Sequence, residues 1–180
     1  TMFTASTHDH IMFFTTRGRA YRLKGYEIPE GSRQSKGMNI VNILPIEEGE
    51  RVSAMIRVPE FESGTFYLCM VTRNGIIKRT KVSEYEYQRK GGKRAITLDE
   101  GDELVFVAHT TGENEIVIAT KNGFAVRFFE SNAREVGRTA RGVKAIELRE
   151  EDFVVGAVAL TENDPRNIIT ITEKGLGKRA

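Results

Sequence analysis

The feature that most constrains the fold is a repeat with a period of about fifty residues. A T-x-x-G pattern occurs four times in the 180-residue chain, and its glycines are Gly18, Gly75, Gly123 and Gly175. Each copy follows an apolar run and precedes an arginine by four residues. Two apolar segments around a short turn are typical of a β-hairpin, and Asn74-Gly75 and Asn122-Gly123 predict a left-handed turn between the strands.

Two further signatures follow each of the first three hairpins in a fixed order. The first is a basic loop ending in G-x-x-[I/A]-[V/I]-x-[I/L], at residues 37–43, 92–98 and 142–148. The second is an acidic turn, at residues 47–50, 99–103 and 150–152. Another apolar segment follows each turn, at 52–58, 104–108 and 153–160. Each unit therefore predicts four strands, and periods of this length with four strands each predict a propeller-like array of blades.

We therefore expect an all-β fold, with short helical turns only at 83–90 and 130–136. The units predict a single partial domain cut from a longer array. In this interpretation residues 1–7 are the last strand of a preceding blade. Residues 8–58, 59–110 and 111–161 are blades, and residues 162–180 begin a further one.

The charges are distributed unevenly although the formal net charge is only +2. Residues 17–36, 73–94, 121–144 and 174–179 hold 23 of the 27 Lys and Arg but 6 of the 25 Asp and Glu. This split predicts a basic face or rim and a separate acidic one. The one cysteine, Cys69, predicts a buried thiol in a reducing compartment, most simply the cytosol, and no apolar run reaches membrane-spanning length.

Several motifs together resemble one family. They are His8-Asp9-His10-Ile11 before the first T-x-x-G, Val41-Asn42-Ile43-Leu44-Pro45, and the turn Gly101-Asp102-Glu103-Leu104. In this order and spacing they are similar to the C-terminal domain of the DNA gyrase A subunit, over essentially the whole chain. The corresponding domain of topoisomerase IV is the open alternative.

The resemblance implies a β-pinwheel of six blades that exchange strands and bend duplex DNA around a basic rim. It implies a role in ATP-dependent negative supercoiling by a bacterial, cytoplasmic and nucleoid-associated type II topoisomerase. Its partners would be duplex DNA, the rest of the A subunit and the B subunit in an A2B2 assembly, with no membrane contact. The cleavage tyrosine and the sites for ATP and Mg²⁺ belong to other domains, so this chain is expected to hold no cofactor.

The family also carries a Q-R-R-G-G-K-G box in its first blade. The stretch 88–94 resembles it through Gln88, Gly91 and Gly92, but Lys90 replaces an arginine and Arg94 replaces the final glycine. We interpret this stretch as a degenerate copy in a later blade, with the intact box N-terminal to Thr1.

Cations repeated along a curved rim suit a bent duplex that is held by its phosphates. Sequence-specific base readout is not expected, since no recognition helix is predicted. The predicted DNA-contacting residues are Arg17, Arg19, Arg22, Lys24, Arg33, Lys36, Arg73, Lys78, Arg79, Lys81, Arg89, Lys90, Lys93, Arg94, Lys121, Arg127, Arg138, Arg141, Lys144, Lys178 and Arg179.

No catalytic set is visible, so the isolated domain is not expected to be an enzyme. His8 and His10 alternate on one side of a predicted strand, but no third ligand is evident, and no metal site is expected. The rival interpretation is a protein-interaction propeller whose acidic turns or grooves bind a partner. The sequence leaves open the hand of the wrap, the length of DNA bound, and whether the blades close, remain an open arc or pair with another copy.

Overall fold

A computed structural model describes residues 3–59, 64–86 and 91–180 of the chain. These residues contain thirteen strands, four short 3-10 turns and no α-helix. Within those ranges no helix has the length and apolar composition that crossing a membrane requires. The strands are β1 (His10–Thr15), β2 (Arg19–Lys24), β3 (Val52–Val58), β4 (Tyr67–Thr72), β5 (Ile76–Lys81), β6 (Lys93–Arg94), β7 (Leu104–Thr110), β8 (Glu115–Thr120), β9 (Ala125–Phe129), β10 (Val143–Lys144), β11 (Val154–Leu160), β12 (Ile169–Ile171) and β13 (Gly177–Arg179).

The strands form four antiparallel sheets, and two of these sheets take their outer strand from the following repeat unit. The first sheet has the order β3-β1-β2-β6 and the second has the order β10-β5-β4-β7. The third sheet is β11-β8-β9, and β12 pairs with β13. The all-β, propeller-like prediction is therefore confirmed, as is the strand exchange that the resemblance implies. Exchange also means that a sheet is not a contiguous segment, and the blade boundaries stay predictions.

The hairpin glycine is the point at which one unit joins the next. The carbonyl of Gly18 accepts the N–H groups of Ala95 (2.7 Å) and Ile96 (3.3 Å). A Cβ added to Gly18 would lie 2.9 Å from Cγ2 of Ile96. Gly75 accepts the equivalent pair of N–H groups and approaches Ile146 in the same way. Only a glycine fits here, because the following unit packs directly on the turn.

The turns differ from the predicted type. Gly75 and Gly123 have positive φ, whereas Asn74 and Asn122 do not. A type I turn followed by one left-handed glycine satisfies this pattern, and the glycine makes a bulge at the start of the second strand. The left-handed conformation therefore belongs to the glycine alone, and the prediction for Asn74 and Asn122 is wrong.

The acidic turns stabilise the hairpin turns. Thr15 Oγ1 donates to the carboxylate of Glu50 in the first unit. In the second and third units the backbone N–H groups of Asn74 and Asn122 donate to the carboxylates of Asp102 (2.9 Å) and Asp152 (3.0 Å). The acidic signature therefore has a local structural role in every complete unit.

Apolar residues on alternate sides of each hairpin fill separate cores. Met12 and Phe14 of β1 pack with Leu68 and Met70 of β4 between the first and second sheets. The opposite face of β4 packs with Ile116 and other residues of the third sheet in a second core. Both faces of the inner strands are therefore buried, which explains their unbroken apolar runs.

Two predicted strands are not formed. We call residues 37–43, 92–98 and 142–148 the exchange segments. The first of them contains a 3-10 turn (Ile40–Asn42) instead of a strand, and the side chain of Asn39 accepts the N–H of Val41 at its start. Leu44, just after it, is buried against the outer face of β1. The described residues contain no hairpin before β1 with which this segment could pair. Residues 3–7 also form no strand, because Ser6 closes a turn with Asp9 before β1.

Both helical turns are found as 3-10 turns: Val82–Tyr85 overlaps the start of the 83–90 prediction, whose last four residues lie outside the described ranges, and Glu130–Asn132 lies within the 130–136 prediction. A fourth such turn is Gly25–Glu27.

Replacing a hairpin glycine by alanine tests whether the following unit packs directly against that glycine. Gly75→Ala and Gly123→Ala both place a Cβ on a left-handed residue, which costs about 1 kcal/mol. Of these two glycines, only Gly75 has a neighbour within 4 Å of the added Cβ. We therefore expect Gly75→Ala to lower the free energy of unfolding by about 1–3 kcal/mol more than Gly123→Ala, as measured by urea denaturation. Equal losses in the two variants would contradict the packing role.

Candidate nucleic-acid interface

The third basic loop is bonded along the outside of the second sheet. Val136 exchanges hydrogen bonds with β5, because its N–H donates to Arg79 O (3.0 Å) and its carbonyl accepts from Thr80 Oγ1 (2.9 Å). Further along the loop, Thr97 Oγ1 of the second exchange segment donates to Thr139 O (2.7 Å). These hydrogen bonds, one from a backbone N–H and two from threonine hydroxyls, attach this loop to the neighbouring unit and hold its cations in place.

The second basic loop reaches the edge of the first sheet by passing over an aromatic ring. A Cβ at Gly92, whose φ is 75°, would lie 2.6 Å from Cε1 of Tyr21. The hydroxyl of Tyr21 donates to Pro45 O (3.1 Å), which fixes the ring. Gly92 therefore allows close approach of the backbone, and Lys93 and Arg94 follow immediately as β6.

Four cations gather at this outer edge, and we call them the outer-edge cluster. They are Arg19, Lys93, Arg94 and Arg138. Arg94 lies directly opposite Arg19 in the β2–β6 register. The guanidinium of Arg138 donates to the backbone carbonyl of Arg94. Like charges opposite each other on neighbouring strands destabilise a sheet, so a bound anion would relieve this arrangement.

The basic and acidic segments do not form the separate faces that the charge distribution predicted. Arg17 and Arg19 both bond the carboxylate of Glu47. Arg141 bonds Asp99 in a bidentate geometry, and this hydrogen bond lowers the pKa of the Asp99 carboxyl. The acidic turns lie beside the basic loops because they stabilise the neighbouring hairpin turns, and many of the predicted cations are therefore ion-paired. The further pairs are Lys81 with Glu135, Arg127 with Glu115 and Lys144 with Glu147.

Other predicted cations contact backbone carbonyls or aromatic rings. Those that donate to carbonyls are Arg22, Lys24, Arg79 and Arg138. Arg73 and Lys121 both approach the ring of Phe153, at 3.7 Å and 5.3 Å from its centroid. Burial lowers the pKa of Arg22. No local pattern in the sequence marks Tyr21 or Phe153, because their roles depend on segments far away in the chain.

The remaining predicted cations divide into two groups. Six of them have no side-chain hydrogen bond, ion pair or ring contact to another residue in the described ranges; these are Arg33, Lys36, Lys93, Arg94, Lys178 and Arg179. Gln88, Arg89 and Lys90 of the box-like loop lie outside the described residues. Gly91 lies at its end, where an added Cβ would have no neighbour within 4 Å.

Lys78 is a correction to the predicted set. Its side chain is 1% exposed, and its ammonium donates to the carbonyls of Ala95 and Arg138. Burial, and then the charge of Arg138, lower the pKa of Lys78 to about 7, while Glu84 acts in the opposite direction. Lys78 thus joins three segments inside the protein and has no surface to offer to DNA.

The described residues contain no group of three His, Cys, Asp or Glu side chains that could hold a metal ion. The thiol of Cys69 is buried, and burial raises its pKa to about 12. Such a thiol is a poor nucleophile at neutral pH.

Comparison with known sequences gives one consistent family. The profile described as DNA gyrase C-terminal domain, beta-propeller, matches residues 9–59, 67–111, 114–161 and 166–180. The DNA gyrase A subunit of Staphylococcus epidermidis is 48% identical over 176 residues, which are 98% of this chain and 20% of that protein. The Staphylococcus aureus protein of the same name is 47% identical over the same shares. The chain thus spans about a fifth of the length of these relatives.

Solved structures share the fold. The C-terminal domain of DNA topoisomerase IV superposes with a TM-score of 0.86 at 34% identity, covering 96% of this chain and 53% of that chain. A DNA gyrase A C-terminal domain superposes with a TM-score of 0.77 at 24% identity, covering 97% and 55%.

Lys78 predicts a pH dependence of stability. Between pH 7 and pH 10 the unfolded chain, with an ordinary lysine of pKa 10.5, binds more protons than the folded chain. The free energy of unfolding of the wild type should therefore rise with pH relative to that of Lys78→Met, by on the order of 1 kcal/mol per pH unit. Urea denaturation at several pH values measures this difference, and Lys36→Met, which removes an exposed lysine, is the matched control. A difference that is constant or falls with pH would contradict the prediction.

Proposed function

Because the chain belongs to the DNA gyrase C-terminal domain family, we propose that its basic outer edge binds duplex DNA through the phosphates and bends it around the domain. Binding of this kind does not read sequence. The described residues contain no α-helix that could enter the major groove, and the exposed cations are repeated along strand edges and loops.

The observation that carries this proposal is the outer-edge cluster. Strand exchange places Lys93 and Arg94 on the outermost strand of the first sheet, where Arg94 lies opposite Arg19 and Lys93 opposite Ala20. Neither Lys93 nor Arg94 has a carboxylate partner among the described residues, and Glu47 is shared by Arg19 with Arg17. A row of phosphates supplies the missing negative charge, and it gains from a scaffold that is already in place.

The ion-paired cations have a different part in this proposal. Arg141 and Lys144 are exposed and pair with acidic residues on the surface, whereas the Glu115 side chain that Arg127 bonds is only 14% exposed. Exposed pairs of this type contribute little to stability and are screened by salt, so a phosphate can compete with the carboxylate at small cost. Lys93 and Arg94 of the outer-edge cluster, which have no carboxylate partner among the described residues, are therefore the primary contacts, and the paired cations are secondary contacts.

In the complete protein this domain would serve DNA gyrase. The relatives named as the DNA gyrase A subunit are about five times longer than the matched region, so cleavage of DNA and use of ATP and Mg²⁺ are assigned to the rest of the enzyme. We assign the B subunit as the further partner, in an A2B2 assembly in the bacterial cytoplasm. The family profile and the sequence relatives at 48% and 47% identity favour gyrase. Among the solved structures the topoisomerase IV domain, at 34% identity, is more similar than the gyrase A domain at 24%, and topoisomerase IV is therefore kept as the alternative parent enzyme.

The protein-interaction alternative receives no comparable support. The acidic residues Glu50, Asp102 and Asp152, which it would offer to a partner, are hydrogen-bonded to the hairpin turns of their own units.

Charge reversal at the outer edge tests the proposal. For the wild type we expect the affinity for a mixed-sequence duplex to fall steeply as salt rises, with a logarithmic slope of about −0.9 for each phosphate contacted. Lys93→Glu with Arg94→Glu should weaken binding and reduce the slope by about 2, because two phosphate contacts are lost. Fluorescence anisotropy across a salt series measures both quantities, and circular dichroism checks the fold.

The matched control is Arg149→Glu with Arg166→Glu, which changes the net charge equally but lies outside the basic segments. We expect its salt slope to equal that of the wild type. If both double variants lose affinity to the same extent, net charge rather than the outer-edge cluster governs binding. Wild-type binding that is insensitive to salt would exclude a phosphate-driven interface.

A further inference from the structure

A cavity with a volume of about 360 Å³ lies between the first and second sheets, away from the outer edge. Its wall combines two cations, Arg22 and Lys81, with one acid, Glu86. Lys81 is also paired with Glu135, at 3.1 Å. The remaining lining residues are mostly apolar or hydroxyl-bearing: Met12, Val58, Pro59, Gly64, Thr65, Phe66, Val82 and Ser83.

The equivalent junction between the second and third sheets holds a carboxylate instead of a cavity. Glu130 is completely buried there. Its carboxylate accepts the N–H groups of Gly112 and Asn114 (2.9 Å each), the hydroxyl of Thr110 (2.7 Å) and the thiol of Cys69 (3.3 Å). Both oxygens of this buried anion are therefore satisfied by donors from two units.

The two junctions correspond residue by residue. Glu130 follows its hairpin glycine by seven residues, and Val82 follows Gly75 by seven. The backbone confirms this register, because the N–H of Glu130 donates to Asn114 O (2.8 Å) and the N–H of Val82 donates to Phe66 O (2.9 Å). The first junction thus has an apolar side chain at the position from which the second junction supplies a carboxylate.

Two of the four donors around that position are retained, the backbone N–H groups of Gly64 and Phe66, which correspond to those of Gly112 and Asn114. The other two, the Thr110 hydroxyl and the Cys69 thiol, are replaced by the apolar side chains of Val58 and Met12. Gly64 has a left-handed φ of 116°, close to the 98° of its equivalent Gly112. The N–H groups of Gly64 and Phe66 donate to no acceptor within the described ranges. Nε of Arg22 is buried and has no hydrogen-bond partner there, whereas Nε of its equivalent, Arg79, donates to a carbonyl. A buried donor without an acceptor is unfavourable, and an anion in the cavity would satisfy it together with the two N–H groups.

We propose that this cavity is a binding site for a small carboxylate anion, whose oxygens take the place that the Glu130 carboxylate holds in the neighbouring junction. Two backbone N–H groups and the Arg22 guanidinium bind the carboxylate, and Lys81 adds positive charge. Met12, Val58 and Val82 contact the short apolar part of the ligand. The site lies at the joint between two blades, so its occupancy stiffens that joint and is independent of the DNA-binding edge.

Titration with acetate tests the site in the 180-residue chain. Amide chemical shifts are followed by NMR at constant ionic strength, with chloride replaced by acetate. The N–H signals of Gly64 and Phe66 should shift together and saturate in about the millimolar range, as expected for a ligand of four heavy atoms. Shifts that do not saturate, or that occur only at exposed lysines and arginines, would overturn the proposal.

A pair of variants distinguishes anion binding inside the cavity from general anion binding at the surface. Val82→Glu places a tethered carboxylate where Glu130 stands in the other junction, and we expect the acetate response at Gly64 and Phe66 to weaken at least tenfold. Val82→Gln has a similar size without the charge and should retain more of the response. An unchanged response in Val82→Glu would refute the assignment.

Inorganic phosphate serves as a second probe, and duplex DNA as a third. If phosphate or DNA saturates the Gly64 and Phe66 signals while acetate does not, the site is a phosphate site and the carboxylate assignment is wrong. The outcome is separate from that of the DNA-binding experiment, because Lys93 and Arg94 do not line the cavity.

Discussion

The architecture depends on one repeated interaction, in which the carbonyl of a hairpin glycine accepts two consecutive N–H groups from the following unit. Gly18 and Gly75 both make this interaction, and in each case an isoleucine packs where a Cβ would otherwise stand. The same contact completes the sheet, closes the core and brings a basic segment to the outer edge. Stability and the position of the candidate interface are thus consequences of the same bond. In such a chain the units are coupled to their nearest neighbours, and no unit is a self-sufficient domain.

The arrangement of charge follows from this architecture rather than from the net charge. The acidic turns are needed at the hairpin turns, where they accept backbone and hydroxyl donors, and they therefore lie close to the basic loops. Nearby cations are neutralised in ion pairs such as Arg141 with Asp99. Cations on the exchanged strand β6 escape this pairing because the strand lies on the far edge of the preceding sheet. The distribution of charge along the sequence overstates the separation of charge in space.

The repeat, the hairpins and the all-β class could be predicted because they depend on local patterns of apolar residues and glycines. The 3-10 turn at 40–42 could not be predicted, because residues 37–43 form a strand only if a preceding hairpin is available to pair with them. Individual side chains of the interface were also beyond local reasoning. Lys78 has the same sequence surroundings as exposed cations, yet two distant carbonyls and the loop after β9 enclose it. The partner that decides whether a cation is exposed lies as many as 64 residues away along the chain, as between Arg22 and Glu86.

Strand exchange also leaves a strand edge uncovered while the protein is being synthesised. The first sheet contains β2, which ends at Lys24, and β6, which begins at Lys93. At a synthesis rate of about 5–20 residues per second, roughly 3–14 s pass between the emergence of these strands from the ribosome. During that interval the nascent chain presents an uncovered strand edge, the feature through which β proteins aggregate. Each new unit then covers the strand edge of the unit before it and exposes an edge of its own. The risk of aggregation therefore moves along the growing chain with each blade that is synthesised.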